Sequence, residues 1–324
     1  MKKLVSFFAF LFLAPALVPD TAFAQDKVTV AIISLTLNNL PLYVAQEKGF
    51  FAKENLFVES VLLGASTRSI PALIGGSVHI SASAAMTTMR AIEKGAALKI
   101  VGGMVNGPVY DLISLPKYRS MKDLKGTTIG VTGLITSDTV VMKEMLKANG
   151  LEYPRDYGML AIGGSAERWI ALQSGNISAG IFNPPYNFAA VDGGYNDLGA
   201  TVKYVPYFTQ TVFNVRASWA NEKRPVLARF LRAALKADQW IYENKEDTVR
   251  IIAKKLKFSD KHSEASWRYY TENNIVPKDG SISLKGMDKV LQLLVEDGTL
   301  KPPLPRYDKY IDDSYLQEAR RLLQ

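Results

Sequence analysis

The stretch from Val28 to Phe51, VTVAIISLTLNNLPLYVAQEKGFF, constrains this chain most. Val28 to Ile33 is an apolar, β-branched run of strand length, the kind buried on both faces of a parallel sheet. Ser34 to Asn39 form a polar turn, Pro41 suits the first turn of a helix, and Gly49 suits the left-handed position that ends one. A strand thus delivers the chain to a helix N-terminus, where the first N–H groups have no intrahelical acceptor. In α/β sheets ligands sit at such places, beyond the carboxyl ends of strands and against helix starts.

What precedes this stretch reads as a targeting segment. Lys2 and Lys3 make a positive start, Leu4 to Val18 an apolar core, and Ala22-Phe23-Ala24 a small-x-small cleavage site. The apolar run is interrupted by Pro15 and Pro19 and falls short of the ~20 residues that span a bilayer. Residues 1–24 are therefore expected to be a cleaved signal peptide, and the periplasm the destination. The chain has no cysteine, which excludes lipoprotein attachment, disulfides and thiolate metal sites. The remainder is too long for one simple core and suits two lobes of ~150 residues each. The formal charge is +8, but acids stand among the bases, as in Lys53-Glu54, which describes a solvated surface. No basic-aromatic cluster points to nucleic acid.

The strand-to-helix pattern then recurs. Phe57 to Leu63 is expected as a strand, with Ser66 or Thr67 capping the helix after it. Val78 to Ser81 is a third strand leading to a helix start at Ala82-Ser83-Ala84-Ala85, and Leu98 to Val105 is a fourth. Asp111 to Leu115 is one more strand before Pro116, which places the first crossing between lobes at Ser114 to Lys117. Beyond it, Thr127 to Val131, the turn Thr132 to Ser137 and a helix from Asp138 to Asn149 repeat the opening unit. Gly158 to Ile162 is a strand, Ser165 caps a helix, and Ile177 to Phe182 leads to Asn183-Pro184-Pro185 at another helix start. The return crossing falls at Val205 to Thr211, and helices occupy the rest. Lobe 1 is thus residues 25–115 and 212–324, and lobe 2 residues 116–211. Two short matches at one common offset, Val30-Ala31-Ile32 with Ile129-Gly130-Val131 and Ala72-Leu73 with Ala171-Leu172, suggest a duplicated α/β lobe.

Enzyme signatures are absent: no nucleophile elbow, phosphate-binding loop, H-E-x-x-H or glycine-rich dinucleotide fingerprint occurs. His79 lies in a strand and His262 in a charged helix start, both suited to structural roles. No cofactor and no metal site are expected.

The string PLYVAQEKGFFAKENL from Pro41 to Leu56 resembles the signature of periplasmic substrate-binding proteins serving ABC importers of nitrate, sulfonates and taurine. Their superfamily includes binders of thiamine pyrimidine precursors. ALIGGSVHIS from Ala72, DLKGTTIGV from Asp123 and ALQSGNISAG from Ala171 extend the resemblance over the whole exported chain. It implies an α/β, two-lobed type II periplasmic binding protein fold, each lobe a mostly parallel sheet flanked by helices, closing about two hinge crossings. It also implies a monomeric receptor rather than an enzyme, with a small-molecule solute and an ABC importer permease with its ATPase as partners. A pyrimidine-synthesis enzyme on the same fold is the alternative.

Carried over position by position, the resemblance implies ligand contacts from Ser34, Asn38 and Asn39, then Ser66 and Thr67, then Ser83 and Ala84, and Asn106. Lobe 2 supplies Thr136, Ser137 and Asp138, then Asn183 and Tyr186. Tyr110, Tyr186 and Trp169 are candidate aromatic walls; Arg68 and Arg168 lie one turn into their helices, where they can face solvent. Asp138 departs from the family's anion cradle, because a carboxylate at 4 Å repels a bare anion by about 4 kcal/mol at an effective dielectric of 20. Either Asp138 turns away as a first-turn helix charge, which this reading favours, or the ligand offers it an amine or ring N–H. A small organic anion such as a sulfonate or carboxylate is the expected solute, with a pyrimidine-like compound second.

Overall fold

In the computed structural model, which describes residues 25–323, the opening unit is β1 (Asp26–Ile32), α1 (Leu40–Glu47) and a short α2 (Phe50–Lys53). Gly49 sits between the two helices at φ +67°, the left-handed conformation only glycine adopts freely. The segment expected as a signal peptide lies outside the described residues. Next come β2 (Leu56–Leu62), α3 (Ser66–Ile74), β3 (Ile80–Ala84), α4 (Ala85–Glu93) and β4 (Leu98–Asn106). A second series follows: β5 (Asp111–Ser114), β6 (Thr128–Val131), α5 (Ser137–Ala148), β7 (Gly158–Ala161), α6 (Ser165–Gln173), β8 (Ala179–Phe182), α7 (Tyr186–Asp192) and β9 (Asn196–Ala200). The chain returns through β10 (Thr209–Arg216) to α8 (Ala217–Glu222), α9 (Arg224–Glu243), α10 (Lys245–Leu256), α11 (Asp260–Glu272), α12 (Leu284–Glu296) and α13 (Ser314–Arg321).

Two five-stranded sheets result, with orders β2-β1-β3-β10-β4 and β7-β6-β8-β5-β9. In each, the first three strands are parallel and the fourth runs antiparallel to both its neighbours. The topologies coincide strand for strand, as a duplicated lobe requires. In each sheet the antiparallel strand is the one entered immediately after a crossing: β5 opens lobe 2, and β10 reopens lobe 1.

This arrangement corrects the expected boundary. β5 belongs to the second sheet, so the first crossing lies between Asn106 and Asp111, not at Ser114 to Lys117. Pro116 marks only the turn after β5. The two crossings run side by side, where Gly107 N–H donates to Phe208 O at 2.7 Å and Thr201 N–H to Tyr110 O at 2.8 Å. Gly107 adopts φ +131° there. A 3-10 turn over Thr201–Lys203 leads into the return crossing.

The first core packs helices on the face of the first sheet. Val28, Val30 and Ile32 are buried in β1. α9 buries the stripe Leu227, Phe230, Leu231, Ala234, Leu235, Ala237 and Ile241, the face its 3.6-residue period marks out. Phe230 stacks on Phe51 at 5.3 Å and meets Phe213 edge-on at 5.2 Å, and full burial of such a ring contributes about 1.5–3 kcal/mol. The same helix carries a buried acid. Asp238 lies against Gly280, Leu235 and Leu316, and its Oδ1 has no hydrogen-bond partner. Burial, and then the charge of Asp279, push its pKa well above the carboxylate range.

A folded-state pKa above the unfolded value means that stability is lost as pH rises past the unfolded pKa toward the folded one. Thermal melts of Asp238→Asn and the native protein should therefore nearly coincide near pH 4. The variant should gain an advantage that grows as pH rises above it, and a pH-independent difference would refute this account.

Candidate ligand-binding site

Between the two sheets lies a narrow cleft enclosing about 410 Å³ of empty space, part of it open to solvent. The turn after β1 gives it Ile33, Ser34 and Asn38; the turn after β6 gives Thr132 and Thr136. α3, α4, α5 and α6 all start at its wall. None of the residues before them (Ala65, Ala84, Thr136 and Gly164) caps its helix through a side chain. Ser259 and Ser283 do cap α11 and α12, while α9, α10 and α13 also begin without a side-chain cap. Four helix starts thus turn first-turn N–H groups and the positive ends of their dipoles toward one cavity. This corrects the expected caps: Ser66 and Ser165 are first helical residues, and Ser66 Oγ accepts from the Ala84 N–H at 3.2 Å.

At the floor lies a guanidinium. Arg168, on α6, is 1% exposed and donates to Gly163 O at 2.5 Å, Ile181 O at 2.8 and 3.1 Å, Thr132 Oγ1 at 2.5 Å and Ser165 Oγ at 3.2 Å. Thr132 in turn donates to Asp138 Oδ2, which lies 3.9 Å from the guanidinium. Burial lowers the pKa of Arg168 from its ordinary value and the Asp138 charge opposes that. An ion pair at this depth persists only with such additional hydrogen bonds.

The remaining wall comes from distant chain. Gln210 Nε2, on β10, donates to the Tyr110 hydroxyl at 2.9 Å, and burial pushes the Tyr110 phenol above its usual range. Tyr270 of α11 donates to Asn38 Oδ1 at 2.7 Å, and Asn183 Nδ2 reaches the same oxygen from the opposite lobe at 3.4 Å. That contact crosses the cleft, so the lobes stand closed on one another. Ser137 Oγ and Gln210 Oε1 are buried with no protein partner among the described residues, which leaves both available to a ligand.

The structure brings Ser34, Asn38, Ser66, Ala84, Thr136, Ser137, Asp138 and Asn183 to the cavity. It does not bring the others there. Asn39 lies beneath the turn, donating to Ser34 O at 2.6 Å, and Thr67 points to solvent. Asn106 ties lobe 1 to the segment before α12, donating to Ser281 O at 3.1 Å and accepting from Ser283 N–H at 3.3 Å. Tyr186 packs edge-on against Phe258 at 4.8 Å, and Trp169 against Tyr195 at 4.9 Å. Ser83 sits inside β3, not at a helix start, fully buried and bonded to Ser81 Oγ at 2.7 Å and Asn214 Nδ2 at 3.2 Å. Asp138 faces the cavity instead of turning away, and Arg168 is buried instead of solvated. Gln210 and Tyr270 join the site from the return strand and the C-terminal helices. In sequence only the polar character of Gln210 within an apolar strand, TQTVFNV, signals it.

Ser83→Leu should therefore act on folding. Overpacking of this kind costs about 1–3 kcal/mol, read as a lower midpoint in chemical unfolding, and an unchanged midpoint would contradict the placement of Ser83.

The family model described as NMT1/THI5 like matches residues 36–248. The formylaminopyrimidine-binding protein of Halalkalibacterium halodurans is 27% identical over 256 residues, which are 75% of this chain and 76% of that protein. A 4-amino-5-hydroxymethyl-2-methylpyrimidine phosphate synthase of Uromyces fabae is 30% identical over 163 residues, 49% of this chain and 46% of the synthase. The solved structure of the periplasmic nitrate-binding protein NrtA of Synechocystis PCC 6803 matches with a TM-score of 0.75 at 17% identity, covering 92% of this chain and 89% of that one. This last is a likeness of fold.

Proposed function

Because the chain belongs to the NMT1/THI5-like family, we propose that it is a periplasmic solute receptor. Its cleft captures a small polar heterocycle of the pyrimidine class and delivers it to an ABC importer permease with its ATPase. The observation that carries the choice of ligand is the state of the cavity's charges. Every hydrogen bond of Arg168 goes to the protein, and Asp138 lies beside it. No uncommitted cation thus lines the cavity among the described residues. A bare anion would meet the Asp138 carboxylate beside an Arg168 whose N–H groups are all committed to protein, with helix N-termini to offset it, whereas an amino-substituted ring offers Asp138 a donor. The likeness to a formylaminopyrimidine-binding protein supports the same class.

Capture without turnover fits the placement of the histidines. His79 accepts from Thr29 N–H at 2.9 Å and stacks on Trp219 at 5.4 Å. His262 pairs with Asp192 at 2.8 Å. Neither lines the cavity, so neither is within reach of a bound solute as a general acid or base. Among the described residues no helix is long and apolar enough to cross a membrane. A small anion is the second reading, favoured by the four uncapped helix starts.

Asp138→Asn separates the two. With 4-amino-5-hydroxymethyl-2-methylpyrimidine as the titrant, calorimetry should show affinity falling more than tenfold in the variant, about 1.4 kcal/mol. If methanesulfonate or nitrate binds the native protein and the pyrimidine does not, the small-anion reading replaces this one. Small-angle scattering should also record a smaller radius of gyration at saturating pyrimidine than without it, because closure draws the lobes together about Asn106–Asp111 and Ala200–Thr209. An unchanged profile would count against the hinge.

A further inference from the structure

We infer that Arg168 acts as a positioning residue for specificity: it sets the direction of a hydrogen-bond relay that crosses the cleft and turns the Asn38 amino group toward the ligand as a donor. The inference rests on the pyrimidine-receptor reading above and says how that ligand is read. A guanidinium has five N–H donors and no acceptor. Where it donates to a hydroxyl, that hydroxyl is left to pass its own proton onward.

Arg168 Nη2 donates to Ser165 Oγ at 3.2 Å, and Ser165 Oγ donates to Asn183 Oδ1 at 3.0 Å. With its oxygen held on that side, Asn183 directs Nδ2 across the cleft to Asn38 Oδ1 at 3.4 Å. Tyr270 donates to the same oxygen at 2.7 Å. Asn38 Oδ1 therefore receives two donors, one from each lobe. Asn38 lines the cavity with its Nδ2 beside the Tyr110 hydroxyl, and its two N–H bonds let it serve that oxygen and a ligand together. The order of donors fixes which end of each carboxamide is which, a choice that carboxamide shape alone leaves open.

A second branch leaves the same guanidinium. Arg168 Nη1 donates to Thr132 Oγ1, which donates to Asp138 Oδ2. Among the described residues nothing donates to Asp138 Oδ1. One always-protonated group thus polarises both walls: a donor at Asn38 on lobe 1 and an acceptor at Asp138 on lobe 2. The ligand that completes the pair carries an acceptor such as a ring nitrogen and a donor such as an exocyclic amine. A ring with the amine alone leaves the Asn38 donor unmatched, and an unmatched buried polar group is what gives a hydrogen-bonding site its discrimination.

Asn183→Asp tests the direction of the relay. The new carboxylate still accepts from Ser165 but presents an oxygen to Asn38, whose amide then turns Nδ2 to that oxygen and Oδ1 to the ligand. The probes are 4-amino-2-methylpyrimidine and 3-methylaniline, which keeps the amine and replaces both ring nitrogens by C–H. By calorimetry the native protein should prefer the pyrimidine at least tenfold. The variant should bring that ratio down at least tenfold, with the thermal midpoint confirming a folded chain. A ratio preserved in the variant would overturn the relay.

Neutron diffraction from crystals of the native protein tests the relay without any ligand. Deuterons should lie on the Asn183 amide nitrogen facing Asn38, and on Ser165 Oγ facing Asn183. The opposite orientation at Asn183, or separation of the two amides by more than a hydrogen-bond length, would overturn it. Should the native protein bind neither probe, the pyrimidine reading falls, and the neutron map still decides the relay.

Discussion

The cleft depends on where parallel strands end. In both sheets the strands that carry the first three positions point their carboxyl ends the same way. Each then releases the chain into a helix that runs back along the sheet. The helix starts that follow these strands are therefore gathered along one edge, and two such edges face to face gather α3, α4, α5 and α6 around one small volume. The antiparallel strand entered after each crossing holds this in place. β10 pairs with β3 and β4, and β5 with β8 and β9, so the crossings are anchored at both ends by full ladders. Between those ladders the crossings run side by side, joined where Gly107 N–H donates to Phe208 O.

Uncapped helix starts carry a cost that caps would otherwise remove, typically about 1 kcal/mol per helix. At the cleft the first-turn residues are small (Ser66, Ala85, Ser137 and Ser165) and lie within the helix, not before it, so a ligand can approach the backbone closely. Ser137 Oγ and Gln210 Oε1, buried without partners, carry the same signature. On the receptor reading proposed above, a polar solute that satisfies these atoms recovers on binding the stability given up there.

Much of the scaffold was legible because its signals are local. Strand runs, proline and glycine punctuation and the stripe on α9 depend on neighbours a few residues away, and these elements fall where the sequence places them. The topology was less so: Asp111 to Ser114 reads as a strand in either lobe, and only its pairing with β8 and β9 assigns it. At the site, Asn38 and Asp138 were placed by the family resemblance carried over position by position, and both line the cavity. Ser83, carried over the same way, does not. It shares a strand face with Ser81 by the two-residue period and turns into a buried network with Ser69 and Asn214, while the next residue, Ala84, reaches the cavity. Tyr270 was invisible, and Gln210 signalled only by its polarity within an apolar strand, because what places them is folding of distant chain.

Arg168 shows why a residue's distance from a helix start says little about its role. One turn into α6 its side chain could run outward to water; it runs inward because the carbonyls of Gly163 and Ile181 converge there with Thr132 and Ser165. A buried cation so fully satisfied adds little net stability over an apolar replacement, since desolvation consumes most of its Coulombic gain. Its contribution is directional. A lysine at the same place would keep the charge but lose the planar fork that reaches two carbonyls and two hydroxyls at once. With the fork, the polarity of every amide and hydroxyl downstream is determined, across the cleft as far as Asn38. In the relay we infer, the same residue that holds lobe 2 together from within also sets what lobe 1 presents to the cavity.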